Sequence, residues 1–386
     1  MTKKILPALH PLTYATVDLD ALRSNYRLIR EAAGGTDVFC VVKADAYGHG
    51  AVRVAETLYE EGARWFGVAA PAEGAILRCE AKIPEASILN LGSADPHDAG
   101  ALADYRITQN LYSYNYGLAL ADHLPKGKKL RVHVKLDTAM NRLGFSAKPG
   151  EIDRTVKEIL ELSRFGCFEM EGIFSHFIIS DEANDDMSAV QFARYNEVVD
   201  RLAAEGLTFP VRHISNSAGL LRYPDCRLNL VRAGIILYGI MPSDDLKYDG
   251  YRTVMSLYST VSNVHIAQPG ETVGYGTACR LDKQTEVATI AIGYADGFTR
   301  GYKGAGIGIR GRDLNLIGRV CMDQCMADVT GTDVCTGDRV TLFGWDPDAE
   351  KYRPVELLSD RAGTNAYESC CMVSKRVPRI YLNGKS

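Results

Sequence analysis

The sequence of 386 residues predicts an α/β protein in which a (β/α)8 TIM barrel over residues 1–245 is followed by a mostly-β domain over residues 246–386. Up to residue 240, eight short apolar runs alternate with helix-like segments, a pattern typical of this barrel. An open doubly wound sheet is the alternative, but no G-x-G-x-x-G turn follows any early run. After residue 245, β-like runs and glycine turns follow one another with almost no helical periodicity, which indicates a separate domain.

The predicted elements follow from these runs. The barrel strands are expected, in order, at Val38–Ala44, Trp65–Ala70, Ser87–Leu91, Ile107–Leu111, Arg131–Asp137, Glu171–Phe177, Val211–Ser215 and Asn229–Leu237. Strands of the second domain are expected at Thr253–Ala267, Glu286–Ile292, Leu314–Val320 and Arg339–Phe343, with one helix at Pro354–Ala362.

Composition and charge narrow the class of partner. The chain has 46% hydrophobic and 24% charged residues, as ordinary globular proteins do. Its 44 Lys+Arg and 48 Asp+Glu residues leave a net charge of −4. Binding to nucleic acid or to an anionic membrane needs a basic excess on some face, so we expect a small-molecule partner instead.

The same reading indicates a cytoplasmic location. The segment Met1–Leu9 lacks the long apolar stretch of a signal peptide, and no run reaches the roughly 20 apolar residues of a membrane span. Ten cysteines are scattered from Cys40 to Cys371 without the paired spacing of a zinc site. We expect them to be reduced thiols, and we expect no metal site.

In such a barrel, polar residues at the carboxyl ends of strands carry the chemistry. Lys43 follows the apolar run Phe39-Cys40-Val41-Val42, so it is expected to be nearly buried. Burial lowers the pKa of an amine and allows it to attack a carbonyl group. Strand-end lysines also bind phosphates or pair with carboxylates, and the position alone leaves these alternatives open.

A phosphate cradle is predicted after the last two barrel strands. Asn216 and Ser217 supply a short polar turn, and Gly234 allows a backbone N–H to approach an anion. An ordinary turn with a tightly packed glycine is the alternative. Together with Lys43, the cradle points to a cofactor that binds a lysine and carries its own phosphate, namely pyridoxal 5′-phosphate.

Many blocks of the chain resemble the alanine racemase family, beginning with Val42–Gly50 (VKADAYGHG), which is similar to its cofactor-attachment signature. Further matching blocks in the barrel are Lys135–Thr138, Asn141–Gly144, Ser175–Phe177, Asn216–Ser217, Arg232–Ile235 and Tyr238–Gly239. Those in the second domain are Gly274–Gly276, Gly293–Phe298, Gly318–Gln324, Tyr367–Glu368 and Arg376–Arg379. Their order and spacing cover nearly the whole chain.

The resemblance implies interconversion of L- and D-alanine with pyridoxal phosphate, serving D-alanine supply for peptidoglycan. Two bases act on opposite faces of the substrate: Lys43 on the face from which D-alanine loses its proton, and Tyr275 on the L face. A phenol is a poor base unless neighbouring cations lower its pKa. Met322, Asp323 and Arg142 match substrate-binding positions. In the family Tyr275 and Met322 act at the cofactor of the other subunit, which implies an active homodimer.

The resemblance also assigns the cofactor contacts, which are Lys43, Tyr47, Arg142, His176, Asn216, Ser217, Arg232, Gly234, Ile235 and Tyr367. Arg232 matches the residue that hydrogen-bonds the pyridine nitrogen, and His176 matches the one that packs on the ring and bonds this arginine. An arginine does not easily give up its proton, so the ring nitrogen is expected to stay unprotonated. Family members often carry a carbamylated lysine at the position of Lys135.

The chain departs from the family pattern at three positions. Ala139 stands where glycine is usual and Ala233 where proline is common, and both changes are small. Asn365 stands where an apolar residue is usual, so it brings an amide to the expected substrate entrance and suggests turnover of serine beside alanine. Tyr367 argues the other way, because serine-preferring relatives tend to lose this tyrosine. The alternatives are a broader racemase, a decarboxylase of basic amino acids with an acidic partner for the ring nitrogen, and a non-catalytic pyridoxal-phosphate-binding barrel without a second domain.

Overall fold

The computed structural model describes residues 10–243, 245–246, 248–277 and 279–383. The segment Met1–Leu9, on which the prediction of no signal peptide rests, lies outside these residues. The chain forms two compact units: one consists of residues 21–46 and 50–252, and the other combines residues 47–49 and the N-terminal strand with the residues from 253 onward.

The regular elements are as follows. The strands are β1 Tyr14–Asp18, β2 Asp37–Val41, β3 Trp65–Val68, β4 Ser87–Asn90, β5 Ile107–Leu111, β6 Leu130–Asp137, β7 Phe145–Ser146, β8 Phe168–Phe174, β9 Val211–His213, β10 Leu230–Ala233, β11 Met255–Ala267, β12 Thr285–Ile290, β13 Gly306–Ile309, β14 Arg312–Ile317, β15 Cys325–Asp328, β16 Arg339–Asp346, β17 Lys351–Arg353 and β18 Arg379–Leu382. The helices are Leu19–Ala33, Ala51–Glu60, Pro71–Glu80, Ala99–Asp104, Tyr114–His123, Ile152–Ser163, Ser188–Ala204, Ser217–Arg222, Glu356–Ala362 and Ala366–Met372.

The first unit is the predicted barrel. Its eight parallel strands lie in the order β10-β2-β3-β4-β5-β6-β8-β9, and β7 adds to β6. The backbone N–H of Arg232 donates to the carbonyl of Ser215 at 3.1 Å, which links β10 to the residues just after β9 and nearly closes the ring. The helix Leu19–Ala33, which precedes β2, is amphipathic and buries Leu22 and Ile29.

The predicted barrel runs overlap the observed strands but misjudge several ends. The first run extends to Ala44, whereas β2 ends at Val41, because the apolar residues continue into the loop above the barrel. The last run extends to Leu237, whereas β10 ends at Ala233 and a buried 3-10 turn follows at Ile235–Tyr238. Apolar character alone does not mark a strand end when the loop beyond it is also buried.

The second unit is built on a closed ring of six antiparallel strands, in the order β11-β12-β15-β14-β13-β16 and back to β11. The 13-residue strand β11 makes the closure possible, since its first half pairs with β16 and its second half with β12. Strand β17 extends the sheet from β16, and β1 and β18 extend it from β11.

The predicted domain boundaries need correction at both ends. Strand β1 pairs with β11 and β18, so it lies in the β-rich sheet and not in the barrel to which residues 1–245 were assigned. The barrel unit continues to residue 252, beyond the predicted end at 245. A five-residue strand does not reveal its distant partners, because the pairing depends on residues more than 200 positions away.

The helix Ala366–Met372 is a further element that the sequence patterns do not predict.

Membrane-spanning helices and metal-binding clusters are both absent from the described residues. None of their helices is both long and apolar enough to cross a bilayer. Their histidines, cysteines and carboxylates include no group of three or more arranged to hold a metal ion.

Candidate active site

Lys43 begins an unusual turn immediately above the barrel. Ala44, Asp45, Ala46 and Tyr47 all have φ between 52° and 55°, so four successive non-glycine residues adopt the left-handed conformation. The backbone N–H of Ala46 donates to the carbonyl of Val42 at 2.9 Å. L-residues disfavour this conformation by about 1–2 kcal/mol each, so the turn is strained.

The turn changes the expected environment of Lys43. Its side chain is half-buried rather than nearly buried, because β2 ends two residues earlier and Lys43 already belongs to the turn. The carboxylate of Asp45 accepts the N–H of Ala51 at 2.7 Å and fixes the exit from the turn. Strain of this kind concentrates at functional sites.

Arg232 lies in β10, is 4% exposed and is held by four acceptors of the barrel. Its Nη2 donates to the carbonyls of Ser175 and Ile214, both at 2.7 Å, and to Nδ1 of His176 at 3.1 Å. Its Nη1 donates to Nδ1 of His213 at 2.6 Å. Burial lowers the pKa of Arg232 to about 9, so the guanidinium keeps its charge at neutral pH.

A second cation, Lys135, lies in the barrel beside Arg232. The Lys135 ammonium donates to the carbonyl of Leu136 at 3.2 Å and lies 4.9 Å from the ring centroid of Phe174. Burial, followed by the charges of Arg232 and Arg142, holds the pKa of Lys135 well below its usual value. An amine with a lowered pKa has a larger neutral, nucleophilic fraction.

The residues of the predicted phosphate cradle lie at the ends of β9 and β10. The hydroxyl of Ser217 accepts the N–H of Gly234 at 3.0 Å, which joins the two loops. Asn216 caps the helix Ser217–Arg222, since its side chain accepts the N–H of Gly219 at 2.9 Å. Ile235 begins the 3-10 turn, and the first N–H groups of such a turn have no partner within it.

Two predicted cofactor contacts, Tyr47 and Tyr367, lie in the second unit. Their ring centroids are 6.2 Å apart. Burial raises the pKa of Tyr47, so its hydroxyl stays protonated and can donate a hydrogen bond. Gly48 follows at φ 83°, and a Cβ there would lie 2.4 Å from the carbonyl oxygen of Cys370, so only glycine allows this packing.

Tyr275, the predicted second base, is 72% exposed and lies between two glycines with left-handed φ. The guanidinium of Arg319 packs on the second of them, since a Cβ on Gly276 would lie 2.5 Å from Nη1 of Arg319. The structure therefore brings a cation to the residue that follows the tyrosine.

Met322 and Asp323 lie in a loop of the second unit that is fixed by its neighbours. The carbonyl of Met322 accepts the N–H of Ala295 at 2.9 Å. Arg376 donates to the carboxylates of Asp323 and Asp296, each at 2.7 Å. Asp323 thus already forms an ion pair with Arg376, which Asp296 shares.

Arg142 and Asn365 lie outside these clusters. The Arg142 side chain is exposed in the loop after β6. Asn365 caps the helix Ala366–Met372, with its side chain accepting the N–H of Glu368 at 3.0 Å. An N-cap is a sufficient structural reason for an asparagine here.

Sequence reasoning missed a buried chain of side chains beneath Arg232. His213 in β9 contacts His133 in β6 at 2.9 Å, and His133 contacts the carboxylate of Glu171 in β8 at 3.2 Å. Both rings are fully buried. The alternation of His133 with Lys135 in β6 indicates that both side chains lie on one face of that strand, but no local pattern indicates the contact of His133 with His213.

Comparisons with known proteins agree with this architecture. The family model described as "Alanine racemase, N-terminal domain" matches residues 17–242, and "Alanine racemase, C-terminal domain" matches residues 254–381. The alanine racemase of Methanococcus maripaludis is 38% identical over 97% of this chain and 99% of its own length. The alanine racemase of Desulfovibrio desulfuricans is 39% identical over 96% of this chain and 98% of its own.

Solved structures give the same result. The alanine racemase of Clostridium difficile superposes with a TM-score of 0.90 at 37% identity and covers 97% of both chains. The alanine racemase of Bacillus anthracis, solved with bound L-Ala-P, has a TM-score of 0.90 at 31% identity and covers 98% of this chain and 97% of its own. Two matching domains, full-length relatives and a common fold lead to one assignment: the chain belongs to the alanine racemase family.

Proposed function

We propose that the chain is an alanine racemase that interconverts L- and D-alanine with pyridoxal 5′-phosphate. The observation that carries the proposal is Arg232, a charged guanidinium fixed in the barrel by acceptors from two neighbouring segments, at the ends of β8 and β9. A decarboxylase of basic amino acids would be expected to have an acidic residue in this role. An arginine instead keeps the ring nitrogen unprotonated, which favours return of the proton over other reactions.

The donor set suits this cofactor. Among the hydrogen bonds of the described residues, none uses Nε of Arg232, so this N–H is available to a ring nitrogen. Ser217 accepts from Gly234, which leaves its own hydroxyl hydrogen for a phosphate oxygen. The cations Arg142 and Arg232 favour a ligand that carries negative charge.

Pyridoxal phosphate, when bound, withdraws electrons from the substrate Cα and makes its C–H bond acidic. The residues of this chain then have to move the proton. We propose that Nζ of Lys43 removes the proton from Cα of D-alanine and that, in the opposite direction of the reaction, it delivers a proton to the same face. We assign the phenolic oxygen of Tyr275 to the L face, with the neighbouring Arg319 stabilising negative charge on the phenol.

The remaining roles concern substrate and charge. The backbone N–H of Met322 and the side chain of Arg142 are proposed to bind the substrate carboxylate, with Asp323 at the rim. Lys135 is proposed to be carbamylated, because its lowered pKa leaves the amine free to add carbon dioxide and the product places a negative charge near Arg142. Intact mass measured with and without bicarbonate tests this modification.

The second unit supports a homodimer with shared active sites. Tyr275, Met322 and Ile266 are 72%, 53% and 57% exposed around a depression of about 1180 Å³. Large exposed apolar side chains around one depression are typical of a surface that another chain covers. We propose that a second copy covers it and that Tyr275 acts in the partner's site. Sedimentation velocity of the purified protein tests the dimer.

The proposed cellular role is supply of D-alanine for peptidoglycan in the cytoplasm. All ten cysteines are free thiols in the structure, which supports a reducing compartment. Activity in the cytoplasmic fraction and D-alanine dependence of a deletion strain would test location and role.

The central experiment measures D-alanine formed from L-alanine by the purified protein with pyridoxal phosphate. Borohydride reduction and peptide mass spectrometry should then place a pyridoxyl group on Lys43. Serine and lysine serve as alternative substrates, the latter with an assay for carbon dioxide. Absence of D-alanine with release of carbon dioxide from lysine would support the decarboxylase, and cofactor binding without turnover would support the non-catalytic alternative.

A further inference from the structure

The histidines beneath Arg232 form a hydrogen-bond chain whose direction is fixed. A guanidinium can only donate, so Nδ1 of His213 must accept from Arg232 across 2.6 Å. A neutral His213 then carries its single proton on Nε2 and donates to Nδ1 of His133 at 2.9 Å. His133 in turn carries its proton on Nε2 and donates to the carboxylate of Glu171 at 3.2 Å.

This hydrogen-bond chain excludes protonation of its middle member, His133. A protonated His133 would place a second hydrogen in the 2.9 Å gap that the Nε2–H of His213 already occupies. Burial lowers the pKa of both rings, which agrees with this geometry. The outer end of the chain is anionic, since Glu171 also accepts from Thr108 at 3.0 Å and pairs with Arg131 at 3.3 Å.

Packing holds the rings in place. His213 lies between Phe174, with ring centroids 4.7 Å apart and planes 7° apart, and Phe39, with centroids 5.9 Å apart. His133 occupies space that β8 leaves open, because a Cβ on Gly172 would lie 2.6 Å from its Cε1 atom. Neither ring can turn without displacing a neighbour, so the acceptor offered to Arg232 has one fixed position.

We propose that His213, supported by His133 and Glu171, is a positioning residue that fixes the guanidinium of Arg232 so that its remaining N–H groups point at the ring nitrogen of the cofactor. This inference rests on the proposed function. Without this hydrogen-bond chain, Arg232 can tilt, and the ring nitrogen of the cofactor can then take a proton from water. The fraction of turnovers that transfer the amino group of alanine to the cofactor, releasing one pyruvate each, then rises.

The first test reads the hydrogen-bond direction without measuring activity. Long-range ¹H–¹⁵N NMR of the ¹⁵N-histidine-labelled holoenzyme, assigned with His213→Asn and His133→Asn, should show both rings neutral with the proton on Nε2 between about pH 5.5 and 8. A proton on Nδ1 of either ring, or titration of either ring in that interval, would overturn the proposal. This readout stands even if the enzyme prefers another substrate.

The second test reads the consequence for Arg232. In His213→Phe the ring packing is kept and the acceptor is lost, so pyruvate formed per D-alanine should rise about tenfold or more while KM changes little. His213→Asn should restore much of the wild-type ratio, because its amide oxygen can accept from Arg232. The control is Tyr116→Phe, which loses a buried hydroxyl that donates to the carbonyl of Ala94 at 3.0 Å in another part of the barrel. An unchanged ratio in His213→Phe, or an equal rise in Tyr116→Phe, would refute the positioning role.

Discussion

The carboxylate of Glu73 accepts the backbone N–H of Ala44, the residue after Lys43, at 2.7 Å. Its second oxygen accepts the N–H of Ala69 at 2.8 Å. Glu73 lies in the first turn of the helix Pro71–Glu80, so a rigid element holds the beginning of the left-handed turn against the loop after β3. One side chain therefore helps to keep Lys43 where the strained backbone presents it.

We expect Glu73→Ala to lower the free energy of unfolding by about 1–3 kcal/mol, because two backbone N–H groups lose their acceptor. The rate of racemisation should fall with it, since the turn that carries Lys43 loses a support. Urea denaturation and kcat for alanine measure the two effects. Glu80→Ala, at the exposed end of the same helix, is the control, and equal losses in both variants would contradict the role of Glu73.

The turn itself predicts an unusual glycine effect. Ala44→Gly should raise the free energy of unfolding by about 0.5–1 kcal/mol, because relief of the left-handed conformation exceeds the entropic cost of glycine. Ala193→Gly, in the exposed middle of the helix Ser188–Ala204, should lower it by about 1 kcal/mol. Thermal and urea denaturation compare the two. A loss of stability in both variants would show that the turn carries no net strain.

The buried histidines predict how stability depends on pH. Burial depresses the pKa of His133, His176 and His213 in the folded state, so these rings stay neutral while the unfolded chain takes up protons below about pH 6.5. The free energy of unfolding should therefore fall as the pH drops below that value. His213→Asn should make this dependence shallower, by up to about 1.4 kcal/mol per pH unit. Tyr116→Phe, in another part of the barrel, should lower stability equally across this pH range, and an unchanged slope in His213→Asn would contradict the prediction.

Tyr275→Phe should reduce racemisation about 10²- to 10⁴-fold while the cofactor remains bound, as expected when a positioned acid–base group is lost. Lys43→Ala should be inactive, because it lacks the other proposed base. If Tyr275 acts across the dimer, unfolding and refolding the two variants together should restore about a quarter of wild-type activity, since half of the dimers then contain one intact site. Each variant refolded alone is the control, and mixtures with no more activity than these controls would assign both bases to one chain.

Substrate range stays a prediction that centres on Asn365. Its side-chain oxygen already caps the helix Ala366–Met372, so Asn365→Ala should cost about 1 kcal/mol of stability. Turnover of serine beside alanine is expected if the amide also reaches the substrate, and the ratio of kcat/KM for the two amino acids measures it. A wild-type kcat/KM for serine thousands of times below that for alanine would refute the hypothesis. If Asn365→Ala leaves the ratio of the two values unchanged, Asn365 acts only as a helix cap.

The sequence predicted those parts of the protein that depend on local pattern. Arg232, Ser217 and His176 were identified because each follows or ends a barrel strand, and the eight strands themselves are confirmed. The left-handed turn after Lys43 was not predictable in this way, since single-residue preferences exclude four successive non-glycine residues at positive φ. The pairing of β1 with β18 and the contact of His213 with His133 were missed for another reason. Both join residues that are far apart in the chain, and no local signal encodes such partners.

The turn from Ala44 to Tyr47 has a stereochemical consequence of its own. A backbone at φ near +55° is the mirror image of the one that L-residues adopt without strain, and it is therefore the relaxed conformation of a D-residue. A semisynthetic protein with D-alanine at positions 44 and 46 would keep the same backbone path and lose the steric conflict at both Cβ atoms. Directly after Lys43, this member of the alanine racemase family thus contains two L-alanines, Ala44 and Ala46, held in the backbone conformation natural to D-alanine.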